Sequence, residues 1–213
     1  MANFEQDNGT TRDDLVERVA LMEEMIAEGR QSTIRFGWIF VLWGLIDLAP
    51  VGWQLAVPDS RWVRTWSWPI AIACGVALQF LGMAILRRKS DVVCSTNMRG
   101  RSISAVWAMM GLTAMLYFAG AMISDKQWPV AFTAAMLMFV GMAHGTSAMI
   151  LRWKAQGLVA CVWWIGGVAL FFLTDRYWIQ VFVGEMCFGM IGFGLYAMWL
   201  ERQGESAEGR TNG

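Results

Sequence analysis

The sequence has few of the side chains from which catalytic and metal sites are usually built. Its 213 residues include a single histidine, His144. One histidine excludes bis-histidine haem ligation within a protomer and any zinc site with three histidines. The four cysteines form no Cys-x-x-Cys pair and no disulfide framework; they are Cys74, Cys94, Cys161 and Cys187. We therefore expect no metal site and no cofactor.

Motifs of catalysis and polar surface are also scarce. The chain contains no Gly-rich phosphate loop, nucleophile elbow or His-Glu-x-x-His sequence. Charged residues make up 16% of the chain, against about a quarter in soluble domains, and hydrophobic residues reach 56%. Such a chain has too little polar surface for water, so we expect the lipid bilayer to be its solvent and partner. We expect neither enzymatic activity nor a nucleic-acid partner.

Long apolar segments fill most of the chain. Each has roughly 20 residues, enough for an α-helix to cross a bilayer, and their uniform apolarity argues against strands. The sequence predicts an all-α polytopic membrane protein with six transmembrane helices at about 34–56, 66–86, 103–123, 128–151, 156–174 and 177–200. The predicted transmembrane domain is therefore 34–201. It follows an N-terminal segment, 1–33, and precedes a disordered tail, 202–213.

The six segments repeat a common pattern and form three tandem helical hairpins. Each hairpin begins near a tryptophan, at Trp38, Trp107 and Trp163, and restarts at a second one, at Trp68, Trp128 and Trp178. Because each hairpin starts and ends on the same side, the repeats have parallel topology, which also occurs in transporters. Duplication is equally a route by which a simple scaffold grows. The repeat therefore predicts architecture and leaves function open.

Basic residues are distributed unequally between the two sides of the predicted bundle. Of the 17 lysines and arginines, all but four lie on the side that holds both termini; the four are Arg61, Arg64, Lys126 and Arg176. Cytoplasmic loops of membrane proteins are enriched in Lys and Arg. We therefore expect an integral protein of a bacterial inner membrane with both termini in the cytoplasm.

An amphipathic cytoplasmic helix is predicted before the first span. Its apolar stripe consists of Leu15, Val19, Met22 and Ile26, which follow one another at helical spacing. Residues 12–30 contain six acidic residues and three arginines, whereas helices that bind anionic lipid are usually Lys/Arg-rich. One interpretation is a helix that simply lies along the membrane. The other is a helix that binds a cytoplasmic or membrane protein, or a second copy of the chain.

Four polar side chains inside the predicted spans are the candidate functional residues: Asp47, Glu185, His144 and Gln79. An ionisable group at membrane depth costs about 2.5–3.5 kcal/mol to insert, and it usually faces the bundle interior or a water-filled cavity. Asp47 and Glu185 are expected at similar depth, where two carboxyl groups can share a proton or bind a cation. They are equally compatible with hydrogen bonds between helices or with a hydrated rim.

His144 lies within a Gly-x-x-x-Gly motif formed by Gly141 and Gly145. Small residues at this spacing allow a neighbouring helix to approach closely. We expect His144 to make a hydrogen bond between helices, with proton transfer as the alternative.

These observations favour a small non-enzymatic membrane protein that acts as a scaffold or regulatory partner through its N-terminal helix. The alternative is a small transporter or channel for protons, a cation or a small solute, built on the intramembrane carboxylates. An intramembrane enzyme comes third. A water-connected cavity at Asp47 and Glu185 would favour transport, whereas a filled bundle beside an exposed N-terminal stripe would favour the scaffold.

Overall fold

The computed structural model describes residues 15–24, 34, 36–89, 98–124, 129–173 and 177–211. Within these ranges every element is helical and no strand is present. After a short helix at 15–24, the elements are α1 (Gly37–Ala56), α2 (Arg61–Lys89), α3 (Met98–Ser124), α4 (Pro129–Leu151), α5 (Lys154–Ala169), α6 (Trp178–Glu185), a π-helical segment (Met186–Gly192) and α7 (Phe193–Thr211). The last three are continuous, and we call them together the C-terminal helix. The expected all-α class is confirmed.

Five helices of the described chain are long and apolar enough to cross a membrane. They lie at Gly37–Ala56, Arg61–Leu86, Ser102–Ala121, Val130–Leu151 and Trp178–Gln203. The remaining helix, α5, has 16 residues and spans about 24 Å, against roughly 30 Å of hydrocarbon in a bilayer. It ends before the expected boundary at 174 because the chain tightens after Ala169, where the amide of Phe171 bonds to the Val168 carbonyl at 3.0 Å. The sixth crossing therefore stays a prediction.

Helix α5 packs antiparallel along α4. Two residues, Arg152 and Trp153, connect them, and a Cβ built on Gly157 would lie 3.7 Å from that of Ala148. Further along the pair, Gly167 faces Met138. Because α5 packs more extensively on α4 than on the C-terminal helix, the expected third hairpin is not a tight pair. The structure therefore leaves the arrangement in tandem hairpins a prediction.

Helix α1 contacts both α2 and the C-terminal helix. Small residues bring it close to the C-terminal helix: a Cβ on Gly37 would lie 2.9 Å from Ala197, and one on Gly44 would lie 3.1 Å from Met190. The paired positions run in opposite directions, so the two helices are antiparallel. Close approach through small residues is the common way in which helices associate in lipid, where no hydrophobic force drives them together.

Indole rings on glycines hold several helix pairs together. Trp43 and Trp38 of α1 lie over Gly75 and Gly82 of α2. Trp164 of α5 lies over both glycines of the Gly141–Gly145 motif. Helix α5 thus approaches the motif closely, with one of its side chains lying directly on the two glycines. Each ring fills the space that the missing side chain leaves, which maximises van der Waals contact.

The N-terminal helix and the C-terminal tail are the two parts of the chain predicted to lie outside the membrane. Residues 15–24 are helical, and Leu15 and Val19 are about half exposed. Ile26, the last member of the predicted stripe, lies outside the described residues, and the amphipathic helix stays a prediction. At the other end, α7 continues to Thr211, whereas we expected 202–213 to be disordered. Extending an existing helix costs much less than nucleating one, which offsets the two glycines of this segment, Gly204 and Gly209.

The connection between α4 and α5 contains the one described non-glycine residue with positive φ, Arg152 at 50°. This conformation costs an L-residue about 1–2 kcal/mol and is favourable for glycine. We expect Arg152→Gly to raise the free energy of unfolding in detergent by up to about 1 kcal/mol, measured by thermal or denaturant unfolding. Lys154→Gly, at the first residue of α5, is the control and should not raise it, because Lys154 already has helical backbone angles. A lower stability for Arg152→Gly would contradict this reading of the turn.

Candidate intramembrane polar site

His144 is enclosed by aromatic rings from four elements. Its imidazole centroid lies 5.5 Å from Phe40 of α1, 4.9 Å from Trp107 of α3, 6.4 Å from Trp163 of α5 and 5.2 Å from Phe193 of α7. The side chain is 0% exposed. Every helix that meets at this point therefore contributes a ring, and His144 lies at the centre of the bundle.

Neither nitrogen of His144 has a hydrogen-bond partner among the described residues. The part of the chain that the structure describes thus contains no hydrogen bond from His144 to another helix. Ser147, one turn after His144 on α4, accepts the indole N–H of Trp107 at 3.1 Å instead. Leaving a buried donor or acceptor unsatisfied costs about 1–3 kcal/mol. The buried imidazole is therefore stabilised by packing against aromatic rings. Aromatic pairs interact favourably at centroid distances of 4.5–7 Å.

Glu185 is the second buried member of the site. It ends α6, is 7% exposed, and directs its carboxylate against Gly166 of α5, where a Cβ would overlap it. Glu185 Oε2 has no hydrogen-bond partner among the described residues. The absence of a side chain at position 166 makes room for this carboxylate, so α5 and the C-terminal helix meet through a polar group.

Trp163 joins the two parts of the site. Its indole stacks at an interplanar angle of 14° with the His144 ring, while its Nε1 edge lies over Gly189 of the π segment. Gly189 lies one helical turn after Glu185, and Gly166 one turn after Trp163. A π segment widens the helix locally and is frequent at functional sites. Here it begins directly after Glu185.

Gln156 belongs to the same interface, although sequence reasoning did not select it. It is 0% exposed, and neither its amide nitrogen nor its carbonyl oxygen has a partner among the described residues. It precedes Trp163 by two helical turns and therefore lies on the same face of α5. That spacing was the available signal. We overlooked it because Gln156 begins the predicted span, where a polar residue is ordinary.

The other two predicted residues lie apart from this group. Gln79 of α2 accepts the indole N–H of Trp43 at 2.6 Å and so joins α1 to α2. Asp47 lies one turn beyond Gly44 on α1, level with Cys187, and is partly exposed. No hydrogen bond between Asp47 and Glu185 is found in the described part of the chain. The structure thus associates His144 and Glu185 through Trp163 and leaves Asp47 and Gln79 outside.

The group defined by His144, Gln156, Trp163 and Glu185 combines donors and acceptors inside an apolar bundle. Unpartnered polar atoms in such a place are commonly satisfied by ordered water. Among the described residues, no three His, Cys, Asp or Glu side chains come close enough to hold a metal ion. Comparison with protein-family models, with curated proteins and with solved structures finds no match for this chain.

Proposed function

We propose that this protein is a small non-enzymatic integral membrane protein that acts as a scaffold or regulatory partner. In this proposal six helices cross a bacterial inner membrane, both termini lie in the cytoplasm, and the N-terminal helix binds a partner protein. The observation that carries it is the contrast between a filled bundle and an exposed N-terminal helix. Leu137, Ala143 and Trp163 are 0% exposed, whereas Leu15 is 53% and Val19 54% exposed.

The filled bundle argues for packing as the main role of the interior. Carriers generally place their substrate site near the bilayer midplane, on discontinuous helices with unwound polar centres. Here the centre is occupied by the rings around His144, and α1 and α4 run through it as continuous helices. The interior side chains therefore stabilise contacts between helices. This arrangement suits a protein that functions by binding a partner at its surface.

The charge of the N-terminal helix indicates the kind of partner. Residues 12–30 carry three more acids than arginines, so two copies of this helix would repel each other, since like charges across an interface are unfavourable. A partner protein with an apolar groove rimmed by Lys and Arg is complementary to both the stripe and its flanks. Helix-in-groove recognition uses residues at this spacing.

Charge insertion into the stripe tests this proposal. Val19→Asp/Met22→Asp should remove about 1.5–3 kcal/mol of apolar burial per side chain and place charges against the groove. We expect co-purification and crosslinking of the partner from native membranes to be lost while the spans still insert. Ala20→Asp/Leu21→Asp adds the same charge on the opposite side of the helix and should retain the partner. Equal interaction profiles for the two variants would contradict the proposal.

Proton or cation transport is the second candidate, and the unpartnered Glu185 and His144 favour it. Intramembrane carboxyl groups commonly mark ion and proton pathways. If transport is the function, Glu185→Gln should abolish flux in proteoliposomes, and Val19→Asp/Met22→Asp should leave it unchanged. If the scaffold proposal is correct, wild-type vesicles should show no flux above protein-free vesicles, and Glu185→Gln should retain the partner.

A further inference from the structure

A groove runs along the outside of the α4–α5 pair, beginning at the turn that connects them. Its volume is about 470 Å³. Small residues form its floor, and larger side chains form its walls and mouth; the lining consists of Gly145, Ala148, Met149, Arg152, Trp153, Lys154, Gly157, Ala160 and Trp164. Met149 is 82% exposed and Trp164 is 40% exposed. The groove is therefore apolar, and it lies on a surface of the bundle that we expect to face lipid.

Positive charge is concentrated at one end of this groove. Arg152 and Lys154 stand at its mouth and form no ion pair with another residue in the described part of the chain. The first turn of α5 begins at Lys154, and the N-cap residue, Trp153, provides no side-chain cap. Free amide groups at a helix N-terminus attract anions. The mouth thus has three unneutralised sources of positive potential, whereas the rest of the groove is apolar.

The groove fits within one leaflet of a bilayer. From Trp153 to Ala160, beside which the Trp164 ring covers Gly145, the helix rises about 10 Å, and half of a hydrocarbon core is about 15 Å. By the orientation proposed above, the mouth lies at the cytoplasmic surface, where anionic lipids are enriched. A peptide in this groove would leave backbone N–H and C=O groups without hydrogen bonds along the apolar walls. An acyl chain has no polar groups and therefore fits these walls.

We infer that this groove binds one anionic phospholipid, with its phosphate at Arg152, Lys154 and the first turn of α5 and one acyl chain between α4 and α5. Positive residues between membrane helices bind anionic headgroups in this way. The acyl chain lies over Ala148 and Gly157, and the indole of Trp164, which covers Gly145, closes the far end of the groove. This lipid site is independent of the partner proposed for the N-terminal helix.

Retention of lipid by the purified full-length protein tests the inference. The protein is reconstituted in nanodiscs of phosphatidylcholine with or without phosphatidylglycerol, and bound lipid is counted by native mass spectrometry after release. One phosphatidylglycerol per chain should be retained in preference to phosphatidylcholine. A cation near an anionic surface contributes about fivefold in affinity, so Arg152→Gly/Lys154→Gln should weaken retention by about 30-fold. Glycine suits the backbone at position 152, so this variant is expected to fold.

Two further variants separate the site from general effects of charge and packing. Arg61→Gln/Arg64→Gln removes two cations from α2, far along the chain from the groove, and should retain lipid like the wild type. Gly157→Leu fills the floor of the groove and should expel the acyl chain with the cations intact. Equal retention of the two lipids, or unchanged retention in Arg152→Gly/Lys154→Gln, would overturn the inference. So would stabilisation by inorganic phosphate equal to that by phosphatidylglycerol, since the apolar groove would then be irrelevant.

Discussion

Replacing Trp163 by alanine is expected to lower the free energy of unfolding by about 3–5 kcal/mol, the usual cost of deleting a buried aromatic side chain. The indole is 0% exposed and contacts both the His144 ring and Gly189. Its removal leaves a cavity where α4, α5 and the C-terminal helix meet. Unfolding in detergent micelles, followed by intrinsic fluorescence and circular dichroism, measures the loss.

The adjacent residue provides a matched control for this substitution. Trp164 is the same residue type on the same helix, but it is 40% exposed and lies over Gly141 and Gly145 at the surface of the pair. Trp164→Ala should cost clearly less than Trp163→Ala, because lipid or detergent can fill the space. Equal losses for the two variants would show that Trp163 is not the centre of the packing.

Two glycines of the C-terminal helix are expected to respond to alanine with opposite signs. A Cβ at Gly189 would overlap the Trp163 indole, whereas a Cβ at Gly184 would meet no atom within 4 Å. Gly189→Ala should therefore destabilise by about 1–3 kcal/mol through overpacking. Gly184→Ala should stabilise by about 0.5–1 kcal/mol, since alanine loses less entropy than glycine in a helix.

The pair is informative because both variants make the same Gly→Ala change in one continuous helix, at Gly184 in its α-helical part and at Gly189 in its π segment. A loss at Gly189 together with a gain at Gly184 identifies the contact with Trp163 as the cause. Combining Gly189→Ala with Trp163→Phe should recover part of the loss, because the smaller ring leaves room for the methyl group. If both glycine variants gain stability, the C-terminal helix does not approach α5 as closely as the structure indicates.

The positions of the helices along the chain were predictable from the sequence, whereas their rotations were not. Apolar runs and polar breaks define where a helix begins and ends, and α4 follows the predicted 128–151 closely. The runs are apolar on all sides, so they do not show which face is buried. Trp163 was recognised only as the start of a repeat, although it lies at the centre of the bundle. In a soluble helix the polar face would have revealed its orientation.

The candidate site was partly predictable for the same reason. His144 and Glu185 were selected because polar groups are expensive in lipid, and both are buried in the structure. Their association through Trp163 depends on helix rotation and on the π segment, which leaves no signature in composition. Gln79 was selected by the same rule, and in the structure it accepts a hydrogen bond from the Trp43 indole. The position of a polar residue within a predicted span thus indicates that it is buried. It does not indicate which other polar residues it contacts.

The π segment allows the two halves of the C-terminal helix to follow independent registers. Before it, Glu185 faces Gly166 of α5; after it, Gly194 and Ala197 face α1 around Gly37. A wide turn of this kind accommodates an extra residue, and one residue corresponds to about 100° of rotation in an α-helix. Inserting a further residue between 186 and 192, beyond the extra one that the wide turn already accommodates, would therefore turn one half away from its neighbour. The C-terminal helix thus links the interface with α5 to the interface with α1. Both the number of its residues and their types are therefore constrained.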